Sequence, residues 1–262
     1  MSFSMRIRAA IKAALFHFLG SVLVAMMAAV LVFLVWYPHP YGLLSGGLNL
    51  FLILVAVDVV CGPLLTLVLF NPKKPRREII TDMSLVILIQ LAALIYGMST
   101  VYQARPLYLV HEVDRFRVIS LPDYNGEDVK EVLEELSPEL RPRWTGGPKV
   151  VGIRTPQNGE QRKEVMLDAL TGGRDYSQRP EFYIPYDTDY QPRVLARAKP
   201  LMAFTDRYPE AAEEAVDLCK RNNVPMEQAS FLPVLHKQEW IAVIDAHARI
   251  IGFLPGDGFA VP

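Results

Sequence analysis

The sequence predicts a membrane anchor of three transmembrane helices followed by a C-terminal α+β extracytoplasmic domain with a mostly antiparallel sheet. Three observations predict this fold class. Residues 1–104 contain three long apolar runs and only 7 basic and 3 acidic side chains. Residues 105–262 contain 20 basic and 25 acidic side chains, a composition typical of a water-soluble domain. This second part has strand-like segments at both ends and helical segments between them.

The three apolar runs are each long enough to cross a bilayer. Residues 13–36 and 83–104 contain no charged side chain, and Asp58 is the only one within 43–70. A helix needs about 20 residues to span a hydrocarbon core of about 30 Å. The first run is also longer than the apolar segment of a signal peptide, about 7–15 residues, and no A-x-A cleavage site follows it. We therefore expect three spans and no cleaved leader.

The basic residues of the loops predict the orientation of the chain. They precede the first run and fill the loop between the second and third runs, at Arg6, Arg8, Lys12, Lys73, Lys74, Arg76 and Arg77. The loop of residues 37–42 has none. Because cytoplasmic loops are rich in lysine and arginine, we expect a cytoplasmic N-terminus and a periplasmic C-terminal domain. An aromatic belt at the outer interface is expected from Trp36, Tyr37, Tyr41 and Tyr102.

Asp58 is the most unusual residue of the anchor, because an unpaired carboxylate within a bilayer costs at least ~2.5 kcal/mol. It indicates either a partner-binding or proton-handling group or a hydrogen bond inside the helix bundle, and the second alternative is favoured. At about 1.5 Å per residue, Tyr96 reaches the depth of Asp58 and could donate its hydroxyl. Pro63 removes a backbone donor and predicts a kink, and Gly62 suits close packing. Gln90 lies at the level of Pro63.

The C-terminal domain begins at a hinge, Arg105-Pro106, and its patterns predict a single sheet. Strands are predicted over 107–113, 117–121, 149–154, 231–235, 240–244 and 249–254, with a turn at Asp114-Arg115 after the first. Helices are predicted over 127–136, 160–170 and 199–221, the last interrupted at Pro209. Residues 174–193 are expected to form an extended loop. This order predicts an antiparallel sheet with helices on one face.

The residue patterns of common enzymes and metal sites do not occur in the sequence. The five histidines have no H-x-x-x-H spacing, and the two cysteines form no C-x-x-C motif. Neither a phosphate-binding glycine motif nor G-x-S-x-G is present. A net charge of -1 argues against a nucleic-acid-binding surface along the whole chain. We therefore expect no enzyme activity, no catalytic residue, no cofactor, no metal and no nucleic-acid partner.

Five unusual stretches follow one another along residues 37–116. They are YPHPY at 37–41, DVVCGPLLT at 58–66, NPKKP at 71–75, IQLAALIYG at 89–97 and RPLYLVHEVDRF at 105–116. Together they resemble the type IV pilin accessory proteins of the TfpX/TfpZ kind. The resemblance implies a bacterial inner-membrane protein that supports assembly of its cognate major pilin. The residues at motif positions are Asp58, Gly62, Pro63, Gln90, Tyr96, Gly97, Arg105, Pro106, Asp114 and Phe116.

This resemblance implies a chaperone-like adaptor without catalytic residues. The three spans would dock the apolar helix of a type IV major pilin within the lipid bilayer, and the outer domain would contact the pilin head. Gln90 would bond either to a glutamate of that helix or, as the favoured alternative, within the bundle. The oligomeric state is left open.

Two other classes of function stay open. One is a membrane-anchored enzyme that modifies pilin or an envelope polymer, which a cleft near Asp245 or His111 would favour. The other is an envelope sensor. The inner segments of only about 12 and 10 residues argue against the sensor, because they offer little room for a cytoplasmic output.

Overall fold

The computed structural model describes residues 3–124, 129–143 and 145–262. Its residues form two compact units. The first contains the described residues up to Pro38 together with Gly47–Ala104, and the second contains His39–Gly46 together with Arg105–Pro262. The short segment 39–46 therefore packs with the second unit, although its position in the sequence is within the anchor. That residues 1–104 and 105–262 are separate domains stays a prediction.

Long helices make up the first unit, and short ones belong to the second. The helices are α1 (Phe3–Leu31), α2 (Tyr41–Leu44), α3 (Gly47–Leu69), α4 (Arg76–Gln103), α5 (Val129–Glu135), α6 (Gly159–Leu170), α7 (Gln191–Leu195), α8 (Leu201–Arg207) and α9 (Ala212–Arg221). A π-helical turn at Val32–Trp36 extends α1. The first span with this turn, α3 and α4 are long and apolar enough to cross a membrane, so the prediction of three long apolar helices is confirmed.

Helix α3 is the central element of the first unit. It packs against both α1 and α4, whereas α4 meets the first span mainly at the π-helical turn. At that end the Tyr37 hydroxyl donates to the Val101 carbonyl at 2.9 Å, and the Trp36 and Tyr102 rings pack with their centroids 5.0 Å apart. The first span and α4 are therefore joined at one end and lie on either side of α3 elsewhere.

A mixed sheet organises the second unit. The strands are β1 (Pro106–Glu112), β2 (Arg115–Ser120), β3 (Lys149–Ile153), β4 (Tyr183–Pro185), β5 (Lys199–Pro200), β6 (Ser230–Leu235), β7 (Trp240–Ile244) and β8 (Ile250–Pro255). Within the described residues their order is β4-β3-β1-β2-β6-β7-β8, and β5 pairs with β6. The β1–β3 and β2–β6 pairs are parallel and the other pairs are antiparallel. The predicted α+β class with a mostly antiparallel sheet is confirmed.

The central strands are apolar on both faces, so both faces are covered. Phe231 and Val243 pair on one face, where α8 and α9 pack over them. Leu232 and Ala242 pair on the other face, together with residues of α2 and α7. An apolar face left in water would cost free energy, and one layer of helices can cover only one side. The expectation of helices on one face is therefore wrong.

Several predicted elements differ from the structure in their limits. Residues 199–221 form β5, α8, a 3₁₀ turn beginning at Pro209 and then α9, because Lys199 and Pro200 pair with β6 instead of starting a helix. Residues 174–193 contain two 3₁₀ turns, β4 and the start of α7 rather than an extended loop. The helix expected over 127–136 is α5, and residues 127 and 128 of that prediction lie outside the described residues.

Candidate functional site

A groove lies between the three long helices of the first unit, and its cavity has a volume of about 210 Å³. We call it the membrane groove. Helix α3 provides its floor with Phe51, Val55 and Asp58. The walls are His17, Gly20, Ser21, Val24, Ala25 and Ala28 of α1, and Ile87, Gln90, Leu91 and Leu94 of α4. The groove exists because α1 and α4 both pack on α3 and diverge from each other.

Small side chains give the α1 wall a flat surface. Ser21, Ala25 and Ala28 follow one another at spacings of four and three residues, which places them on one face of the helix. A Cβ added at Gly20 would meet no atom within 4 Å, so the space before this wall is open. Membrane helices approach one another most closely at small residues. The wall is therefore suited to contact with another apolar helix.

Asp58 is the charged residue of this groove, and its side chain is half-buried. Within the part of the chain that the structure describes, its carboxylate has neither a hydrogen bond nor an ion pair. The hydroxyl of Tyr96 does not reach it, because Tyr96 is 77% exposed on the outside of the bundle. The suggested Tyr96 bond is therefore wrong, and the Asp58 carboxylate keeps unused hydrogen-bond acceptors within the described chain.

Gln90 is held in place by α3. Its Nε2 donates to the backbone carbonyl of Asp58 at 2.9 Å, whereas its Oε1 is buried without a partner among the described residues. A Cβ at Gly62 would overlap the Gln90 amide, so this glycine makes the contact sterically possible. Pro63 lies inside α3, which continues through it as a helix. Gln90 thus bonds within the bundle and still offers an acceptor.

The partners in two contacts of the bundle could not be predicted from the sequence. His17 Nδ1 lies 2.5 Å from Thr66 Oγ1, which links α1 to α3 across 49 residues of chain. Gly97 allows α4 to contact Leu54, because a Cβ there would overlap the leucine side chain. An isolated histidine in an apolar run was the available hint for the first contact. Its partner could not be identified without the packing of the helices.

The other motif residues belong to the second unit and lie on or beside the β1–β2 hairpin. Arg105 precedes β1 and Pro106 begins it, with Pro106 opposite Ser120. Asp114 lies in the turn and accepts a hydrogen bond from Arg115 Nε at 2.8 Å. Phe116 is fully buried, and its ring packs edge-on against His111. These residues belong to the second unit, whereas Asp58 belongs to the first.

Asp245 closes the turn between β7 and β8. Its carboxylate accepts hydrogen bonds from the backbone N–H groups of His247 and Arg249, at 2.8 and 2.9 Å, and from Arg249 Nε at 2.7 Å. Burial on its own would raise the pKa of Asp245, but these hydrogen bonds outweigh it and lower the pKa. The Asp245 carboxylate is thus held by hydrogen bonds within the turn.

His111 lies on β1 and lines a second cavity, which belongs to the second unit. Burial lowers the pKa of His111 to about 4 against a smaller opposing effect of Asp114, so its imidazole is neutral at pH 7. Neither a serine nor a cysteine is found beside it among the described lining residues. The Ser–His or Cys–His pair of a covalent hydrolase is therefore not formed there. No group of three or more possible metal ligands is found in the described parts of the chain.

The sequence of this chain is similar to those of several known proteins. The family model of the fimbrial assembly protein FimB matches residues 5–46. Fimbrial assembly proteins of serogroups I and E1 from Dichelobacter nodosus are each 36% identical to this chain over 246 residues, 93% of either sequence. One of serogroups C1 and C2 is 50% identical over 107 residues, 41% of this chain and 82% of that protein. No solved structure matches the chain.

Proposed function

Since the chain belongs to the fimbrial assembly protein family, we propose that it is an adaptor that holds a pilin in the membrane before assembly. A role in pilus biogenesis follows from the family, and three helices of spanning length make the chain a membrane protein. The narrower kinship with the TfpX/TfpZ kind stays a prediction. So does the identity of the client as a type IV major pilin.

The membrane groove is the observation that carries this proposal. It has an apolar lining, a wall of small residues and one carboxylate without a partner in the described chain. A single apolar helix that packs against the groove would place side chains in this space, and a hydrogen-bond donor of that helix at the depth of Asp58 would satisfy the carboxylate. Hydrogen bonds of this kind between membrane helices contribute about 0.6–2 kcal/mol, so the client is held and can also be released.

The arrangement in the cell is part of the proposal. Basic residues in the first turns of α1, and in the α3–α4 loop and the first turn of α4, support a cytoplasmic N-terminus in the bacterial inner membrane. The second unit is then periplasmic, where it can contact the head of the pilin while the groove holds the helix. A holding role needs no catalytic residue. The Asp245 carboxylate, which is held by hydrogen bonds within its own turn, is in keeping with such a role.

Co-purification with the pilin tests the adaptor. Ala25→Leu puts a larger side chain into the membrane groove, whereas Ala92→Leu adds the same volume to an exposed position of α4 outside it. Equal amounts of each variant are purified from membranes that contain the pilin. We expect pilin with the native protein and with Ala92→Leu, and much less with Ala25→Leu. Equal recovery with all three proteins would show that the groove does not hold the pilin.

A further inference from the structure

A cavity of about 360 Å³ opens where the parallel strands β1 and β3 separate. The two strands are paired from Tyr108 opposite Lys149 to Val110 opposite Val151, and both continue beyond the end of this pairing. In open sheets with parallel strands, ligands bind in crevices outside the carboxyl ends of the strands. We call this cavity the strand-end pocket. It lies wholly within the second unit and is separate from the membrane groove.

Tyr190 fixes the gap between the two strands. Its hydroxyl accepts a hydrogen bond from the Ile153 N–H at 3.1 Å, and it lies 3.3 Å from the His111 carbonyl and 2.9 Å from His111 Nδ1. Gly152 provides room for the ring, since a Cβ there would overlap it. The tyrosine therefore holds the strand ends at a set separation. The pocket is preformed and does not need a ligand to open it.

Arginines without acidic partners surround the pocket. Arg154, Arg193 and Arg197 line it, and none forms an ion pair within the described residues. Arg154 lies over the Phe182 ring at 4.3 Å and Arg193 over the Tyr190 ring at 5.5 Å, contacts that limit their rotamers. Arginine presents N–H groups that match a carboxylate or a phosphate in pairs. The positive charge of these three arginines therefore favours binding of an anion in the pocket.

The remaining walls are mainly apolar, and one polar group among them is unsatisfied. Val113, Pro156 and Tyr176 contribute apolar surface. Val113 is 66% exposed at the tip of the β1–β2 turn with φ of 58°, a strained conformation for a β-branched residue. His111 is 2% exposed, and its Nε2 is buried without a hydrogen-bond partner among the described residues. Strain and unpaired polar groups of this kind occur preferentially at binding sites.

We infer that the strand-end pocket binds the carboxylate end of a peptide whose last side chain is apolar. The arginines would bind the carboxylate, and the apolar walls would receive the side chain. Glu112 also lines the pocket and would repel a bound anion. A phosphate with two negative charges would be repelled more strongly than a carboxylate with one, so a peptide carboxylate fits better. This site is independent of the pilin helix and of the membrane groove.

Calorimetric titration of the purified full-length protein in detergent tests this site. The probes are N-acetyl-Ala-Phe with a free carboxylate, the same dipeptide as its carboxamide, and inorganic phosphate. We expect the acid to bind at least about tenfold more tightly than the carboxamide, because a charge-assisted hydrogen bond is lost in the latter. Arg197→Gln should weaken the acid about tenfold and leave the carboxamide unchanged. Arg221→Gln, a matched loss of charge at an exposed position of α9, should change neither.

Several results would overturn the inference. The acid and the carboxamide could bind equally, or the acid could fail to bind at about 10 mM. Arg197→Gln and Arg221→Gln could weaken the acid to the same extent, which would indicate general charge attraction. Phosphate could bind through Arg197 while the acid does not, which would make this a phosphate site. Arg193→Gln serves as a second variant if Arg197→Gln unfolds, as judged by its melting temperature.

Discussion

A carboxylate in a membrane-spanning helix is stable only if some contact offsets its desolvation. Asp58 makes no side-chain bond within the described chain and faces the membrane groove. The sequence alone favours a hydrogen bond from another helix of the bundle to the Asp58 carboxylate, with Tyr96 as the donor. In the structure Tyr96 is exposed on the outside of the bundle and does not make this bond. The Asp58 carboxylate is thus an unused acceptor within the described chain, as the proposed contact with a partner requires.

Substitution of Asp58 separates folding from partner binding. Asp58→Ala removes no internal side-chain bond, so the amount of protein in the membrane should stay within about twofold of the native level. Pilin recovered by co-purification should fall roughly 3- to 30-fold, the equivalent of one membrane hydrogen bond. Asp58→Asn keeps an acceptor and should retain pilin binding. Loss of pilin with Asp58→Asn at normal abundance would instead show that ionisation is required.

His111 makes the stability of the second unit depend on pH. Burial lowers its pKa to about 4 in the folded chain, from about 6.5 when exposed. Below about pH 6.5 the unfolded chain takes up a proton that the folded chain does not, so stability is lost as the pH falls. This linkage amounts to about 2 kcal/mol between pH 8 and pH 5.

The variant His111→Gln tests this linkage because glutamine does not titrate. The melting temperature of the native protein in detergent should fall from pH 8 to pH 5 by about 4–8 °C more than that of the variant. The comparison cancels the contributions of other groups, including Glu112, whose pKa is raised by burial and acts in the opposite direction. Equal falls in both proteins would refute the assignment to His111.

Single residues were predictable where they break a pattern. Asp58 stands out as the only charge in an apolar run, and Gly62 and Pro63 as glycine and proline within a helix. Tyr41 was predicted wrongly as a member of an aromatic belt. It is buried in the second unit, and its ring packs 5.5 Å from that of Phe253. An aromatic residue after an apolar run has the same pattern in both situations, so the sequence does not distinguish them.

At the scale of elements, glycine determines how closely the long helices pack. Gly62 receives the Gln90 amide and Gly97 receives Leu54, both at the contact between α3 and α4. Van der Waals packing at small residues is a main source of stability between membrane helices, because lipid is as apolar as the helix surface. The α3–α4 pair should therefore tolerate no added volume at these two positions.

Alanine substitution tests this packing with a control in the same unit. Gly62→Ala should destabilise the anchor by about 1–3 kcal/mol, because the new Cβ displaces the Gln90 side chain and breaks its bond to the Asp58 carbonyl. Gly20→Ala, whose Cβ meets no neighbour, should cause no loss. Thermal unfolding in detergent measures both. Equal stability of the two variants would contradict the close contact.

Elements with a strong period were predicted correctly, and the failures have a common physical cause. The long apolar runs gave α1, α3 and α4, and alternation gave β6 and β7. The sequence pattern predicts a helix that includes residues 199–200, but these residues form β5, because pairing with β6 outweighs their local preference. Residues 174–193 are held by contacts with distant strands. Long-range pairing of this kind is not encoded in a local pattern.

At the scale of the whole molecule, the division into two units does not follow the order of the chain. Residues 39–46 contribute Tyr41 and Leu44 to the core of the second unit, although residues 43–46 belong to the second apolar run of the sequence. The apolar composition of this part of the sequence predicts that residues 39–46 belong to the anchor. The membrane groove is also not predictable from the sequence, because it depends on how α1 and α4 pack against α3. Its residues Asp58 and Gln90 were singled out, but His17, Ser21 and Ala25 were not.

Reporter fusions test the orientation proposed for the chain. Alkaline phosphatase is active only outside the cytoplasm, so a fusion after Pro262 should be active and a fusion after Lys74 should be inactive. The reason is the concentration of basic residues in the first turns of α1, and in the α3–α4 loop and the first turn of α4. The opposite pattern would place the second unit in the cytoplasm, where it could not meet the head of a pilin.

Photocrosslinking from the membrane groove tests the central claim most directly. A photoreactive amino acid at Leu91 faces the groove, and the same residue at Leu88, which is 64% exposed, is the matched position outside it. Position 91 is preferred to 90 because the Gln90 side chain is needed for packing. In cells that assemble pili, we predict a crosslink to the apolar helix of the pilin from position 91 and none from position 88. Crosslinks from 88 alone, or none from 91 in piliated cells, would contradict the account.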